Sequence, residues 1–266
     1  MRLFEPWARM CRRSRDDYRA LARCGVAALV EPAAPHGPPR LNAGSFEDAF
    51  GALLRWEPSR AAEVGIEHLC ALGLPGREAH EPSVADAVLW LLPRLLEKDG
   101  VVAVGEIGYD EGTAQEEDVF ARQVELARRR GLPVIVRVPA RGGARAVERH
   151  LALLNECRLP PQSAVLVGIE EPSIGVVRDA GCWACVTVGA GGCPAQQAPV
   201  LRRRWGVERL LFTGAPEGCG GDLGGVAAAA AALEAAGEAP AIVERLLWSN
   251  PRRFFAQSGR LLEAAA

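Results

Sequence analysis

Residues Val101–Thr113 read VVAVGEIGYDEGT, an apolar run that ends on a carboxylate, Glu106, set between two glycines. A short continuous apolar run fits a strand buried on both faces, as in a parallel sheet. A carboxylate near the end of such a strand is delivered to the rim of the sheet, where α/β folds place functional groups. The residues that work with Glu106 are therefore to be sought at the ends of the other strands.

Seven further runs recur at fairly even intervals: RLFEPW, GVAALVEP, IEHLCALGL, LPVIVRVP, SAVLVGI, CWACVTVG and RLLFTG. Between most of them lie helix-like stretches such as SVADAVLWLLPRLLEKDG and QEEDVFARQVELARRRG. In the second, Phe120, Val124 and Ala127 repeat at helical spacing and a glycine closes the pattern. Strands alternating with helices predict parallel βαβ units, and eight of them in one chain predict a single-domain (β/α)8 barrel over residues 1–266. An open doubly wound sheet is the competing architecture, but no G-x-G-x-x-G follows the first strand. The alanine run after Gly225 predicts a helix packed closely on its neighbours. Residues 239–266 predict C-terminal helices, with Asn250-Pro251 breaking the first and Gly259 ending the second. PAAPHGPPRLNAGSFEDAF is an irregular connection expected over the barrel mouth.

Composition narrows the partners. Hydrophobic residues at 49% and charged residues at 24% place the chain among ordinary globular proteins. A net charge of -2 without a basic stripe argues against a nucleic-acid partner. No run approaches the length of a membrane span, and the first fifteen residues lack the apolar stretch of a secretory signal. Eight scattered cysteines then fit a reduced, cytoplasmic protein better than a disulfide framework.

In a barrel the site forms from strand C-termini and the loops that follow. These positions include Trp7 to Arg9, Glu31, Leu74, Glu106 to Asp110, Arg137, Ile169 to Glu171, Gly189 to Cys193 and Thr213 to Cys219. The segments EPWARM, RSRDDYRALARCGVAALVEP, GSFEDAF, GEIGYD, RRRGLPVIV, DAGCWA and NPRRFFAQSGRL, in that order, resemble the TatD-related metal-dependent hydrolases of the amidohydrolase superfamily. The likeness is greatest to the branch encoded in Ebo-type bacterial gene clusters. The resemblance implies a barrel holding one or two divalent metals that activate water.

Carried over position by position, the family's ligand set departs from this chain. Its first-strand His-x-His falls on Trp7-Ala8-Arg9, its fifth-strand histidine on Arg137, its sixth-strand histidine on Ile169, and its final aspartate on or beside Pro216. Only Glu106 matches. Tryptophan, alanine, isoleucine and proline side chains offer a cation no lone pair, and a guanidinium repels it. No metal cofactor is therefore expected. A bidentate pair of Arg137 with Glu106, joined by Arg9, is expected instead, since their strands are adjacent.

Two readings of that pair stand side by side. The arginines neutralise a buried carboxylate, or Arg9 and Arg137 form a pocket for a small anionic ligand. Trp7, Ile169, Glu170 and Glu217 complete the candidate pocket, and no residue is assigned a catalytic role. A different metal set remains as the alternative for zinc, manganese or iron: Glu106, His36, Glu217 and the thiols of Cys11, Cys193 and Cys219, whose strands adjoin in a closed barrel. His68, His80 and His150 are expected away from the mouth. Cys182 and Cys185 form a C-x-x-C on a strand, so they should face opposite sides. The expected role is that of a non-hydrolytic or repurposed member, binding a pathway protein, a second copy or a small anion in a bacterial biosynthetic pathway. A metal-dependent hydrolase with altered ligands is the alternative.

Overall fold

The computed structural model describes residues 1–11, 13–34, 40–139, 141–189, 191–214 and 223–261. His36, Pro216, Glu217 and Cys219 lie outside the described residues.

Eight parallel strands follow one another around a barrel: β1 (Leu3–Glu5), β2 (Val26–Pro32), β3 (Glu67–Leu72), β4 (Val101–Gly108), β5 (Val134–Arg137), β6 (Ala164–Val167), β7 (Trp183–Thr187) and β8 (Leu210–Thr213). The helices around them are α1 (Arg15–Arg23), α2 (Ala43–Gly51), α3 (Glu57–Ala62), α4 (Pro82–Leu95), α5 (Ala114–Arg130), α6 (Gly143–Glu156), α7 (Ile174–Asp179), α8 (Ala198–Trp205), α9 (Gly225–Ala235), α10 (Pro240–Glu244) and α11 (Asn250–Ala256). Adjacent strands are paired in order from β1 to β8, and no ladder joins β8 to β1 among the described residues. The (β/α)8 expectation is met.

Local chemistry explains the element ends. Thr113 and Glu116 form a capping box at the start of α5, and Gly131, at φ 64°, takes the left-handed position that closes it. Ser14 and Asp17 do the same at the start of α1. The first strand is shorter than RLFEPW suggested, because Pro6 supplies no N–H to continue the ladder. α9 packs as closely as its alanines predicted: a Cβ on Gly225 would lie 2.6 Å from Cα of Gly214.

The C-terminal segment corrects one expectation. Asn250-Pro251 does not break the helix. A π-helical stretch, Arg245–Ser249, joins α10 to α11 without a turn, and Pro251 follows directly on that stretch, whose wider turn accommodates a residue with no N–H to donate. Asn250 instead turns inward, its Nδ2 donating to the carbonyls of Val207 at 2.6 Å and Leu210 at 3.0 Å.

Two apolar layers result. Inside the barrel, Phe4, Trp183, Trp248, Phe254 and Phe255 join small and branched strand residues. Their rings interlock, with Phe4 stacked on Phe255 at 5.9 Å and Trp183 edge-on to Phe254 at 5.7 Å, so α11 plugs the N-terminal end of the barrel. The larger layer lies between strands and helices. Cys182 belongs to the outer layer and Cys185 to the inner one, as strand alternation requires.

The candidate site at the barrel mouth

The glycines that flank Glu106 have a steric reason. A Cβ on Gly105 would stand 2.8 Å from Cβ of Ile135, and one on Gly108 would stand 2.8 Å from the Arg137 carbonyl. Their absence lets β4 lie close against β5, with Gly108 opposite Arg137 in the ladder. Glu106 is only 1% exposed in that position.

Three donors from two strand ends surround it. The Trp7 indole Nε1 donates to Glu106 Oε2 at 2.9 Å, and Arg9 Nη2 donates to the same oxygen at 2.6 Å. Arg137 Nε stands 3.6 Å from Oε1. Its Nη1 donates to Asp110 Oδ1 at 3.1 Å. The expected bidentate Arg137–Glu106 pair is therefore not what forms: Arg9 makes the short contact, and Arg137 is divided between two carboxylates. The cause is Asp110, which follows β4 and competes for the same guanidinium. Two arginines and two carboxylates make the cluster formally neutral.

The supports of this cluster can be named. Glu116, fully buried, accepts from the backbone N–H groups of Glu111 at 2.9 Å and Gly112 at 2.8 Å, with Asp110 N at 3.1 Å, which fixes the loop that carries Asp110. His150 braces the same loop from α6. Its Nδ1 lies 2.7 Å from the Ala146 carbonyl and its Nε2 accepts from Tyr109 N at 3.1 Å. Burial pushes the His150 pKa down, so the ring is neutral and Nε2 keeps the lone pair this contact needs. His150 thus touches the mouth loop, contrary to its expected remoteness, because α6 packs directly against that loop.

The segment after β1 is held from beneath. Glu31 turns outward from the barrel rather than to the rim, and its Oε1 accepts from Met10 N at 2.5 Å and Cys11 N at 2.7 Å. Its Oε2 meets His68 Nε2 at 3.0 Å. Glu5 accepts from Gly214 N at 2.8 Å, from the Thr213 hydroxyl and from Trp7 N at 3.3 Å. These contacts span the edge where β8 and β1 have no ladder. Burial raises the Glu5 pKa to about 7, against the lowering effect of its three hydrogen bonds.

The remaining candidates fall elsewhere. Ile169 is buried in the outer apolar layer, whereas Trp7 belongs to the inner one. Glu170 is exposed at the surface. Burial and the carboxylates of Glu31 and Glu57 hold the Cys11 thiol well above its ordinary pKa, and burial also raises Cys193. Protonated thiols are poor metal ligands. Among the described residues no group of three or more His, Cys, Asp or Glu side chains is placed to hold a metal ion. At Glu106 the neighbours are N–H donors rather than lone pairs, so the described residues do not fit a divalent cation there.

The model of the family described as TatD related DNase matches residues 55–167, which include Glu106 and Arg137 but not Trp7 or Arg9. Over that stretch the chain is similar to the TatD family. An uncharacterized metal-dependent hydrolase of Methanocaldococcus jannaschii is 24% identical over 166 residues, 62% of this chain and 64% of that protein. The aligned region thus spans less than two thirds of that relative's length. A TatD-like protein from Archaeoglobus fulgidus superposes with a TM-score of 0.78 at 23% identity, covering 95% of this chain and 99% of the other. A phosphotriesterase homology protein from Escherichia coli does so at 0.69 and 17% identity, covering 95% and 98%. These structural likenesses establish the barrel. No helix among the described residues is long and apolar enough to cross a membrane.

In this TatD-like barrel, sequence reading found Trp7, Arg9, Glu106 and Arg137 but missed two contributors. Trp7 was placed in the pocket without its hydrogen bond to Glu106, Asp110 was taken only as a rim position, and His150 as remote. The T-x-x-E of Thr113 and Glu116 was a legible signal for the loop that positions Asp110.

Proposed function

We propose that this TatD-like barrel is a non-hydrolytic binding protein whose mouth takes a small anionic molecule where relatives would hold a metal. A pathway role as a binding or assembly partner belongs to the same proposal and rests on the resemblance to the Ebo-type branch. The observation that carries the reading is the convergence of Trp7 Nε1, Arg9 Nη2 and Arg137 Nε on Glu106. A divalent ion about 4 Å from a guanidinium meets a repulsion of roughly 8 kcal/mol at an effective dielectric near 20. Two arginines flank this carboxylate.

Exposure gives the direction of approach. Glu106 is 1% exposed, while the side chains of Arg9 and Arg137 keep 13% and 12%. The carboxylate is the floor and the guanidinium groups face outward. Arg9 Nη1 is buried with no hydrogen-bond partner among the described residues. The E. coli structure with this fold carries phosphate in its active site, which agrees with an anion at the mouth.

Two measurements test the proposal. Elemental analysis after incubation with zinc, manganese or iron should find no stoichiometric metal. Calorimetric titration with inorganic phosphate should show binding that Arg9→Gln and Arg137→Gln each weaken about tenfold, the effect of one charge-assisted hydrogen bond. Stoichiometric metal that depends on Glu106, or phosphate binding indifferent to both arginines, overturns it.

A further inference from the structure

One cavity lies at the opposite end of the barrel from Glu106. It is a cleft of about 770 Å³ beneath the N-terminal ends of β6, β7 and β8, closed on one side by α11. Three arginines line it, Arg178, Arg209 and Arg253, against two carboxylates, Asp179 and Glu208. Glu208 is already engaged, by Arg245 at 3.0 Å and by Arg253 at 3.6 Å. Cations therefore outnumber the anions available to them.

Donor groups around the cleft also lack acceptors. The indole nitrogens of Trp183 and Trp205 and Nε of Arg178 are buried without a hydrogen-bond partner among the described residues. Arg178 Nη1 donates to the Trp205 carbonyl, which ties the guanidinium to the cleft wall. Buried donors without acceptors are rare in folded proteins, and three of them belong to residues that line this one cleft.

Arg209 supplies an independent observation. It adopts φ 52°, the left-handed region where glycine or asparagine is usual. No hydrogen bond or ion pair engages its exposed guanidinium among the described residues. A glycine would meet the backbone need without strain, so Arg209→Gly removes the side chain at no backbone cost.

We propose that this cleft is a second anion site, distinct from the mouth, that takes a small phosphate-bearing molecule through Arg178, Arg209 and Arg253. Tetrahedral oxyanions match the forked geometry of several guanidinium groups at once. The site is independent of the reading of Glu106.

Inorganic pyrophosphate is the probe, titrated by calorimetry and followed by phosphorus NMR in the wild-type chain and in the Arg9→Gln/Arg137→Gln double variant, which silences the mouth. A saturable one-to-one component should persist in the double variant. Adding Arg209→Gly should weaken it about tenfold, and Arg253→Gln, at an exposed position, should do the same. Arg209→Gly removes the charge while giving the backbone its preferred residue, so its melting temperature should be kept or raised. The proposal is overturned if the component is absent from the double variant, or if it survives both Arg209→Gly and Arg253→Gln unchanged.

Discussion

Glu5→Gln is the substitution for which the structure gives the clearest expected value. Glu5 is buried at the edge between β8 and β1, and its pKa rises from an ordinary 4.5 to about 7, burial being the largest cause. A carboxyl whose pKa is higher in the folded than in the unfolded chain binds its proton more tightly when folded. Its contribution to stability is complete below pH 4.5, declines as pH rises through 7, and is constant above that. At about 1.4 kcal/mol per pH unit, the interval amounts to about 3 kcal/mol. Glutamine cannot ionise but retains an oxygen for Gly214 N, and its Nε2 can donate to the Thr213 hydroxyl, which can donate on to the Trp7 carbonyl. Relative to wild type, Glu5→Gln should therefore gain stability between pH 4.5 and 8, by about 3 kcal/mol in all. At roughly 2–4 °C per kcal/mol, melting curves recorded across that range should diverge by about 6–12 °C. Taking the difference between the two proteins cancels the other titrating groups. Parallel curves would refute the reasoning, since they would mean that Glu5 ionises in the folded chain as easily as in the unfolded one.

Three further substitutions probe the mouth. Glu106→Gln leaves Arg9 without its 2.6 Å counter-ion and should destabilise by about 3–5 kcal/mol in urea unfolding, while tightening phosphate binding if the mouth arginines are the anion contacts. Gly105→Ala puts a methyl where Cβ of Ile135 is 2.8 Å away and its carbonyl oxygen 3.0 Å away, and should lower stability by about 1–3 kcal/mol or more in urea unfolding. His150→Phe removes the acceptor for Tyr109 N and should cost about 1–3 kcal/mol, read as faster hydrogen exchange at Tyr109 and neighbouring amides.

The barrel was legible because periodicity and strand count are properties of local sequence. Eight apolar runs alternating with helical segments admit few architectures, and each strand was found near its run. The exceptions share a cause: Pro6 shortened β1, and Pro251 was read as a break when the helix runs through it after a π-helical stretch. A proline's effect depends on which hydrogen bonds its neighbours make, and sequence spacing does not reveal that. At the mouth, Arg9, Glu106 and Arg137 could be placed because strand ends converge in any barrel. Which arginine wins the carboxylate could not be read, since that depends on Asp110 competing for Arg137. The inward or outward turn of Glu31 was likewise hidden. Its strand alternation points it to the helical layer, but its position near the C-terminal end of β2 suggested the rim.

Taken together, the buried glutamates explain how the first-strand segment keeps its shape without a cation to gather it. Residues Trp7 to Cys11 have few backbone ladder partners, yet three carboxylates from three strands hold them. Glu5 on β1 accepts from Trp7 N, Glu31 on β2 accepts from Met10 N and Cys11 N, and Glu106 on β4 accepts from the Trp7 indole and the Arg9 guanidinium. A divalent metal at a barrel mouth draws side chains from separate strands to one point. Here N–H donors on one segment are drawn to separate carboxylates, so polarity is inverted while the convergence is kept. That inversion accounts for the retention of Glu106: a neutral residue there would strand Arg9 and the Trp7 N–H in a site nearly closed to water. It also means that a single substitution cannot restore a cation site, because removing Arg9 or Arg137 still leaves the Trp7 donor directed at the same oxygen.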